Sequence, residues 1–129
     1  MNIPFTKTVG IENGLLKNVM KVQNHLGSIH AGAQFTFAET ASGIYLSSHF
    51  PEYEGKIIPL LRESTIKYKK QALTTLSAES YVDKEGLEKF IAQLESKGRS
   101  TIVVHVKLKD VEGDVTCEGS FKWFIQSRE

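Results

Sequence analysis

Apolar residues recur along this chain in two periods, and the places where the period changes mark its elements. From Ile102 to Leu108 every second residue is apolar (Ile102, Val104, Val106, Leu108), the alternation of a strand with one buried face. Beyond a turn carrying Gly113, the residues Val115, Cys117, Gly119, Phe121, Trp123 and Ile125 continue that face. The tail is therefore predicted as a long antiparallel hairpin packed on one side. Just upstream the period lengthens: Leu87, Phe90, Ile91 and Leu94 stand at i, i+3, i+4 and i+7 among Glu, Lys and Gln. That spacing predicts an amphipathic helix over Asp83–Gly98, with Asp83 as N-cap and Gly98 at the left-handed C-terminal position. Alternation and Thr-rich composition predict strands at Ile57–Lys70 and Leu73–Val82, with Gln71-Ala72 bending the chain between them. Near the start, Pro4 leads a helical turn or two. Asn13-Gly14 is a two-residue hairpin signal, because both positions of a type I′ turn need positive φ. It joins a short strand at Gly10–Glu12 to a longer one at Leu15–Asn24, where Leu16, Met20 and Val22 share a face.

One stretch obeys neither rule. Between His30 and His49, Ala31, Ala33, Phe35, Phe37, Ala38, Ala41 and Ile44 are spread round the whole helical cylinder. A helix apolar on all sides is expected to be buried. Yet Glu39 lies in its middle and His30 at its start. A carboxylate on a buried helix finds a partner, protonates or takes part in chemistry.

Composition narrows the function. The chain has 129 residues and 40% hydrophobic content, enough for one core, and it shows no repeat or linker, so one domain over 1–129 is expected. Lys+Arg of 16 against Asp+Glu of 15 gives no electrostatic case for nucleic acid or an anionic membrane. The single Cys117 rules out an internal disulfide framework and points to a reducing compartment, so a cytoplasmic protein is expected. Cys117 itself reads as a small core residue, His105 as an outward strand residue, and the four His are too scattered for a metal-ligand spacing; no cofactor is expected.

The run Asn24-His25-Leu26-Gly27-Ser28-Ile29-His30-Ala31-Gly32-Ala33, followed by Phe37-Ala38-Glu39 and Ser42-Gly43, resembles the hotdog-fold thioesterases, in particular the small single-domain acyl-CoA thioesterases of the phenylacetate-pathway and 4-hydroxybenzoyl-CoA type. The family pattern is a polar amide residue, a glycine, then His-Gly-Gly opening the helix, with an acid eight residues after the first of those glycines. Here Ala31 replaces that glycine, Asn24 stands where many relatives have Gln, and Gly43 stands at the family's hydroxyl position, beside Ser42. The resemblance implies an α+β hotdog fold: a curved antiparallel sheet of five or six strands wrapped round a central buried helix. The Asp83–Gly98 helix is then an extra amphipathic helix. It also implies active sites at a dimer interface, in a homodimer or dimer of dimers.

The chemistry expected of these residues follows. Free N–H groups at Ala31 and Gly32, with the positive end of the helix dipole, would stabilise the oxyanion of an attacked thioester. Glu39, its pKa raised by burial, would act as general base or nucleophile, with Asn24 and His30 as positioning groups. Ser42 and Gly43 would lie against substrate, and Lys67, Lys69, Lys70 and Arg99 are candidates to hold CoA phosphates. Eight helical residues separate Ala31 from Glu39 by about 12 Å, too far to act on one carbonyl. The two are therefore expected to meet in trans, across a two-fold axis. A non-catalytic acyl- or CoA-binding hotdog dimer is the alternative. His49-Phe50-Pro51 is reminiscent of a hotdog dehydratase motif, but it follows the helix instead of preceding it.

Overall fold

The alternating tail forms the floor of the molecule. In the computed structural model, which describes residues 3–128, strands β5 (Arg99–Lys109) and β6 (Val115–Ser127) pair antiparallel from end to end. Their inner residues Ile102, Val104, Val106, Leu108, Cys117, Phe121 and Ile125 are almost completely buried. To this pair are added β3 (Ile57–Tyr68) beside β6, and β4 (Leu76–Tyr81) beside β5. The short β1 (Ile11–Glu12) and β2 (Leu15–Leu16) complete a six-stranded antiparallel sheet in the order β1-β2-β4-β5-β6-β3. Helix α2 (Ala31–His49) lies across its inner face, with α1 (Pro4–Val9) against it and α3 (Lys84–Lys97) docked over β5. This is the hotdog arrangement that the resemblance implied, with the extra helix in place.

Several details depart from expectation. The strand expected over Leu15–Asn24 is only two residues long, because the chain turns through a short helical segment at Met20–Val22. Leu16 and Val22 are buried, but Met20 is 86% exposed, so the three do not share a face. The Asn13-Gly14 turn does form, with φ of 53° and 72°. In β6 the inward phase breaks at a bulge: Leu108 faces Cys117 and Lys109 faces Val115, leaving Thr116 unpaired and buried. Val115 is consequently displaced from the inner face. Gly98 adopts the expected left-handed conformation after α3, at φ 73°. Asp83 makes no cap bond; its carboxylate faces His105 instead.

The largest correction concerns α2. Within one chain it is not wholly buried. Ala33, Gln34, Phe37, Ala38, Thr40, Ser42 and Leu46 are buried, while Ala31, Gly32, Ile44, Ser47 and Ser48 are exposed and Glu39 is half-buried. Of the large apolar side chains of the helix, Ile44 is left exposed. At the other side of the sheet, β3 is an end strand, and no strand among the described residues pairs with its outer edge.

Candidate active site

Helix α2 begins where it does because the preceding loop is held on three sides. Asn24 closes that loop: its Oδ1 accepts from the N–H groups of Leu26 (2.9 Å) and Ser28 (3.1 Å), and its Nδ2 donates to Ser28 Oγ (2.8 Å). Asn18 donates to the carbonyls of Gly27 and Leu73, tying the loop to the segment before β4. Ile29 N–H bonds to Ala72 O and His30 N–H to Val22 O, which fixes the direction of entry into the helix. The segment 69–75 is thus an anchor as well as a bend, and Ala72 is fully buried.

The first turn has four N–H groups without intrahelical partners to satisfy. His30 is the N-cap, and its Nδ1 accepts from Gly32 N–H at 2.8 Å. Ala33 N–H bonds to His30 O. Ala31 N–H has no partner among the described residues. Of the two expected oxyanion donors, then, Ala31 is free and Gly32 is occupied by the imidazole of His30.

Ala31 opens on a cleft of about 240 Å³ whose wall includes Asn24, Leu26, Tyr68, Lys69 and Lys70. Tyr68 O–H donates to Ala31 O at 3.1 Å, pinning the helix start to the end of β3. Burial, with the nearby Cys117 as a lesser cause, holds the Tyr68 phenol above its ordinary range. Below the cleft, buried Gln34 donates to Ile29 O and its Oε1 accepts from the bulged Thr116, whose carbonyl accepts the N–H groups of Lys69 and Lys70. The bulge in β6 therefore sets the position of the two lysines at the mouth. Lys69 pairs with Glu118 at 2.9 Å; Lys70 pairs with Asp114 at 3.0 Å and Asp110 at 3.3 Å, and those carboxylates hold its ammonium above the usual range.

Glu39 stands two turns further on. Its carboxyl has no hydrogen-bond or ion-pair partner among the described residues, and burial raises its pKa from 4.5. Ser42, expected against substrate, is instead fully buried: its hydroxyl donates to Glu39 O at 2.7 Å and accepts from Trp123 Nε1 at 2.9 Å. Gly43 lies against the ring of Trp123.

The expected phosphate contacts do not assemble in one place. Lys69 and Lys70 line the cleft. Lys67 points to the other side of the sheet, into a shallow groove of about 180 Å³ with Thr65, Tyr81, His105, Lys107 and Ser120. Arg99 faces Gln126 while Lys67 faces Glu118, a separation of about 26 Å along β6. In that outer groove His105 Nδ1 lies 2.8 Å from Ser120 Oγ and its Nε2 lies 3.3 Å from Asp83. Ser120 sits in mid-strand, between β5 and β3, where the ladders use the neighbouring N–H groups. With no oxyanion donors beside it, the trio reads as a tie between the start of α3 and the sheet. Cys117 is inert: burial, and secondarily Glu118, push its thiol up to about 11. No group of three His, Cys, Asp or Glu among the described residues could hold a metal, and no described helix is long and apolar enough to cross a membrane.

A family described as a domain of unknown function, DUF4442, matches residues 2–125. The chain belongs to the DUF4442 family. No curated protein matches this DUF4442 chain. Among solved structures it is similar to a Pseudomonas aeruginosa protein described as of unknown function and a probable thioesterase, with TM-score 0.76 and 22% identity, covering 98% of this chain and 89% of that one. A Staphylococcus aureus thioesterase mutant gives TM-score 0.69 and 22% identity over 95% of this chain and 98% of that one. A Bacillus halodurans protein solved with CoA gives TM-score 0.67 and 25% identity over 86% of this chain and 64% of that one. The DUF4442 chain shares the hotdog fold of these structures, two of which are named as thioesterases.

Sequence reasoning missed Tyr68, Gln34 and Trp123. Tyr68 and Trp123 were visible as members of alternating faces, and Gln34 as a polar residue in an apolar helix. Nothing in their spacing said that they bond to the helix start or to the Glu39 turn.

Proposed function

We propose that this DUF4442 chain hydrolyses an acyl-CoA or related acyl thioester at a site shared by two copies. The observation that carries the reading is the pairing of one unpartnered N–H, at Ala31 above a cleft, with one unpartnered half-buried carboxyl, at Glu39 on the same helix. Their separation of about 12 Å prevents joint action on one carbonyl within a chain. The open edge of β3 offers the route to a second copy, since an unpaired edge is a template for strand addition. Antiparallel pairing of two β3 strands would join the sheets and turn the second α2 against the first, in an isologous dimer with two equivalent sites.

In such a site the thioester oxygen accepts from Ala31 N–H at the positive end of the helix dipole. Glu39 of the second copy takes a proton from water as the water oxygen bonds to the acyl carbon. Collapse of the tetrahedral intermediate breaks the C–S bond, and the thiolate leaves as thiol after taking up a proton. Direct attack by the carboxylate, giving an anhydride that water then cleaves, uses the same geometry. Lys69 and Lys70 would exchange their carboxylate partners for CoA phosphates.

The shared site has a direct test. Ala31→Pro removes the free N–H and puts a ring carbon in its place, at a helix position where proline is readily accepted and after an extended His30 (φ −59°, ψ 142°). Ala31→Pro and Glu39→Gln should each lower thioester cleavage over a CoA panel by at least about a hundredfold. Refolding them together should restore about a quarter of wild-type turnover, since half the dimers are mixed and each of these has one intact site. No recovery in mixed dimers, or full turnover by folded Glu39→Gln, sinks the reading. The rival is an acyl-CoA-binding dimer without turnover. It draws on the occupation of Gly32 N–H by His30, which leaves one oxyanion donor. Tight binding of acyl-CoA with no thiol release would establish it.

A further inference from the structure

We infer that Trp123, on the inner face of the sheet, is a positioning residue for Glu39, acting through Ser42. A buried indole has one donor and no acceptor, so it needs an oxygen. Trp123 Nε1 finds Ser42 Oγ at 2.9 Å. That contact occupies a lone pair of the hydroxyl and leaves its single proton to be given elsewhere. It goes to Glu39 O at 2.7 Å. All of this is sequestered: Ser42 is 0% exposed and Trp123 8%.

A serine inside a helix that bonds back to a carbonyl of its preceding turn tends to bend the helix locally. Here the bend is not free, because the hydroxyl is tied to a strand. Gly43 packs on the same ring, where a Cβ would stand 3.5 Å from it. The turn from Glu39 to Gly43 is thereby registered on β6 at Trp123, which faces Leu61 of the end strand β3. β3 is the strand through which a second copy is proposed to pair. A path of one indole, one hydroxyl and one strand therefore sets where Glu39 stands relative to the edge, and so relative to the partner's Ala31. The inference rests on the reading of Glu39 as the reacting carboxyl.

The test uses Trp123→Phe, which keeps an aromatic ring and deletes the N–H, Ser42→Ala, which deletes the hydroxyl, and the double variant. Each is first shown to fold by a cooperative thermal melt. Each single variant should lower kcat about tenfold and leave KM within about twofold, as expected for a small misplacement of a reacting group. The double variant should fall no further than either single, because the two act in one chain. Carbon-13 NMR of the Glu39 carboxyl, assigned with Glu39→Gln, should show its titration midpoint moving toward that of an ordinary glutamate in both singles. Folded variants with unchanged kcat and unchanged midpoint would overturn the inference and leave Trp123 as packing alone. If Glu39→Gln keeps full turnover, the proposed function fails, and the midpoint alone decides whether Trp123 positions the carboxyl. Should Trp123→Phe not fold, Ser42→Ala carries both readouts.

Discussion

The two ends of the Ala31–Glu39 segment are served very differently by the chain that contains them. At the N-terminal end almost every polar group is engaged locally: Asn24 by Leu26 and Ser28, His30 by Gly32, and the Ala31 carbonyl by Tyr68. The Ala31 N–H is left without a partner among the described residues. Two turns on, the backbone of Glu39 is held by Ser42 and Trp123 while its carboxyl is held by nothing among the described residues. One end is a finished cradle with a single opening, and the other a rigidly mounted group with no local use. A helix shaped by stability alone would expose or pair such a carboxyl, since uncompensated desolvation is costly. On the proposed reading, each chain would contribute one end of this segment to each of two different sites.

The comparison breaks most sharply at Ala31. Ala31→Pro should cost about a hundred- to a thousandfold in kcat, the usual consequence of losing an oxyanion donor, with the melting temperature nearly unchanged. Steady-state kinetics beside a thermal melt decides. An active Ala31→Pro would mean that the cradle's opening is not where the substrate oxygen binds.

At the cradle, Asn24→Ala removes the acceptor for two loop N–H groups and should destabilise the fold by about 1–3 kcal/mol. Asn24→Asp keeps the acceptor and should recover most of that in urea titrations. His30→Ala removes the cap of α2 and should cost about 1 kcal/mol in the same assay. A loss in His30→Ala well above that would show the imidazole bearing more than the helix end.

The smallest effect sharpens the other side. Glu39 has a folded pKa raised by burial, so the folded state holds its proton more tightly than the unfolded chain does. Its stabilising contribution is complete below the ordinary value of 4.5 and is lost as pH climbs through the raised one. Glu39→Gln should therefore melt slightly higher than the parent at neutral pH, with the gap closing on acidification. A carboxyl kept at a cost to stability is the pattern of a functional group. A lower melting point for Glu39→Gln at neutral pH would indicate a partner for the carboxylate instead.

Strand and helix positions were legible because their period is a local property. The alternation from Ile102 to Leu108, the helical stripe from Leu87 to Leu94, the Asn13-Gly14 turn and the left-handed Gly98 all stand as read. Errors came where a longer-range partner intervened. Thr116 bulges and meets Gln34, eighty-two positions away, which shifts Val115 out of phase. Asp83 looked like a cap and serves His105, twenty-two positions on.

At the site the division is the same. The sequence alone identified Glu39 as the anomalous acid, His30–Gly32 as the start of the helix, and the helical rise as too long for Ala31 and Glu39 to cooperate in one chain. It could not tell that His30 would take Gly32 N–H, that Asn24 would turn inward to its own loop, or that Arg99 would lie at the far end of the sheet from Lys67. Nor could it show Trp123 reaching Ser42 across eighty-one positions. Periodicity and helical rise are fixed by covalent geometry and can be read from a string of residues. Which donor meets which acceptor is decided only when strands distant in sequence come into register.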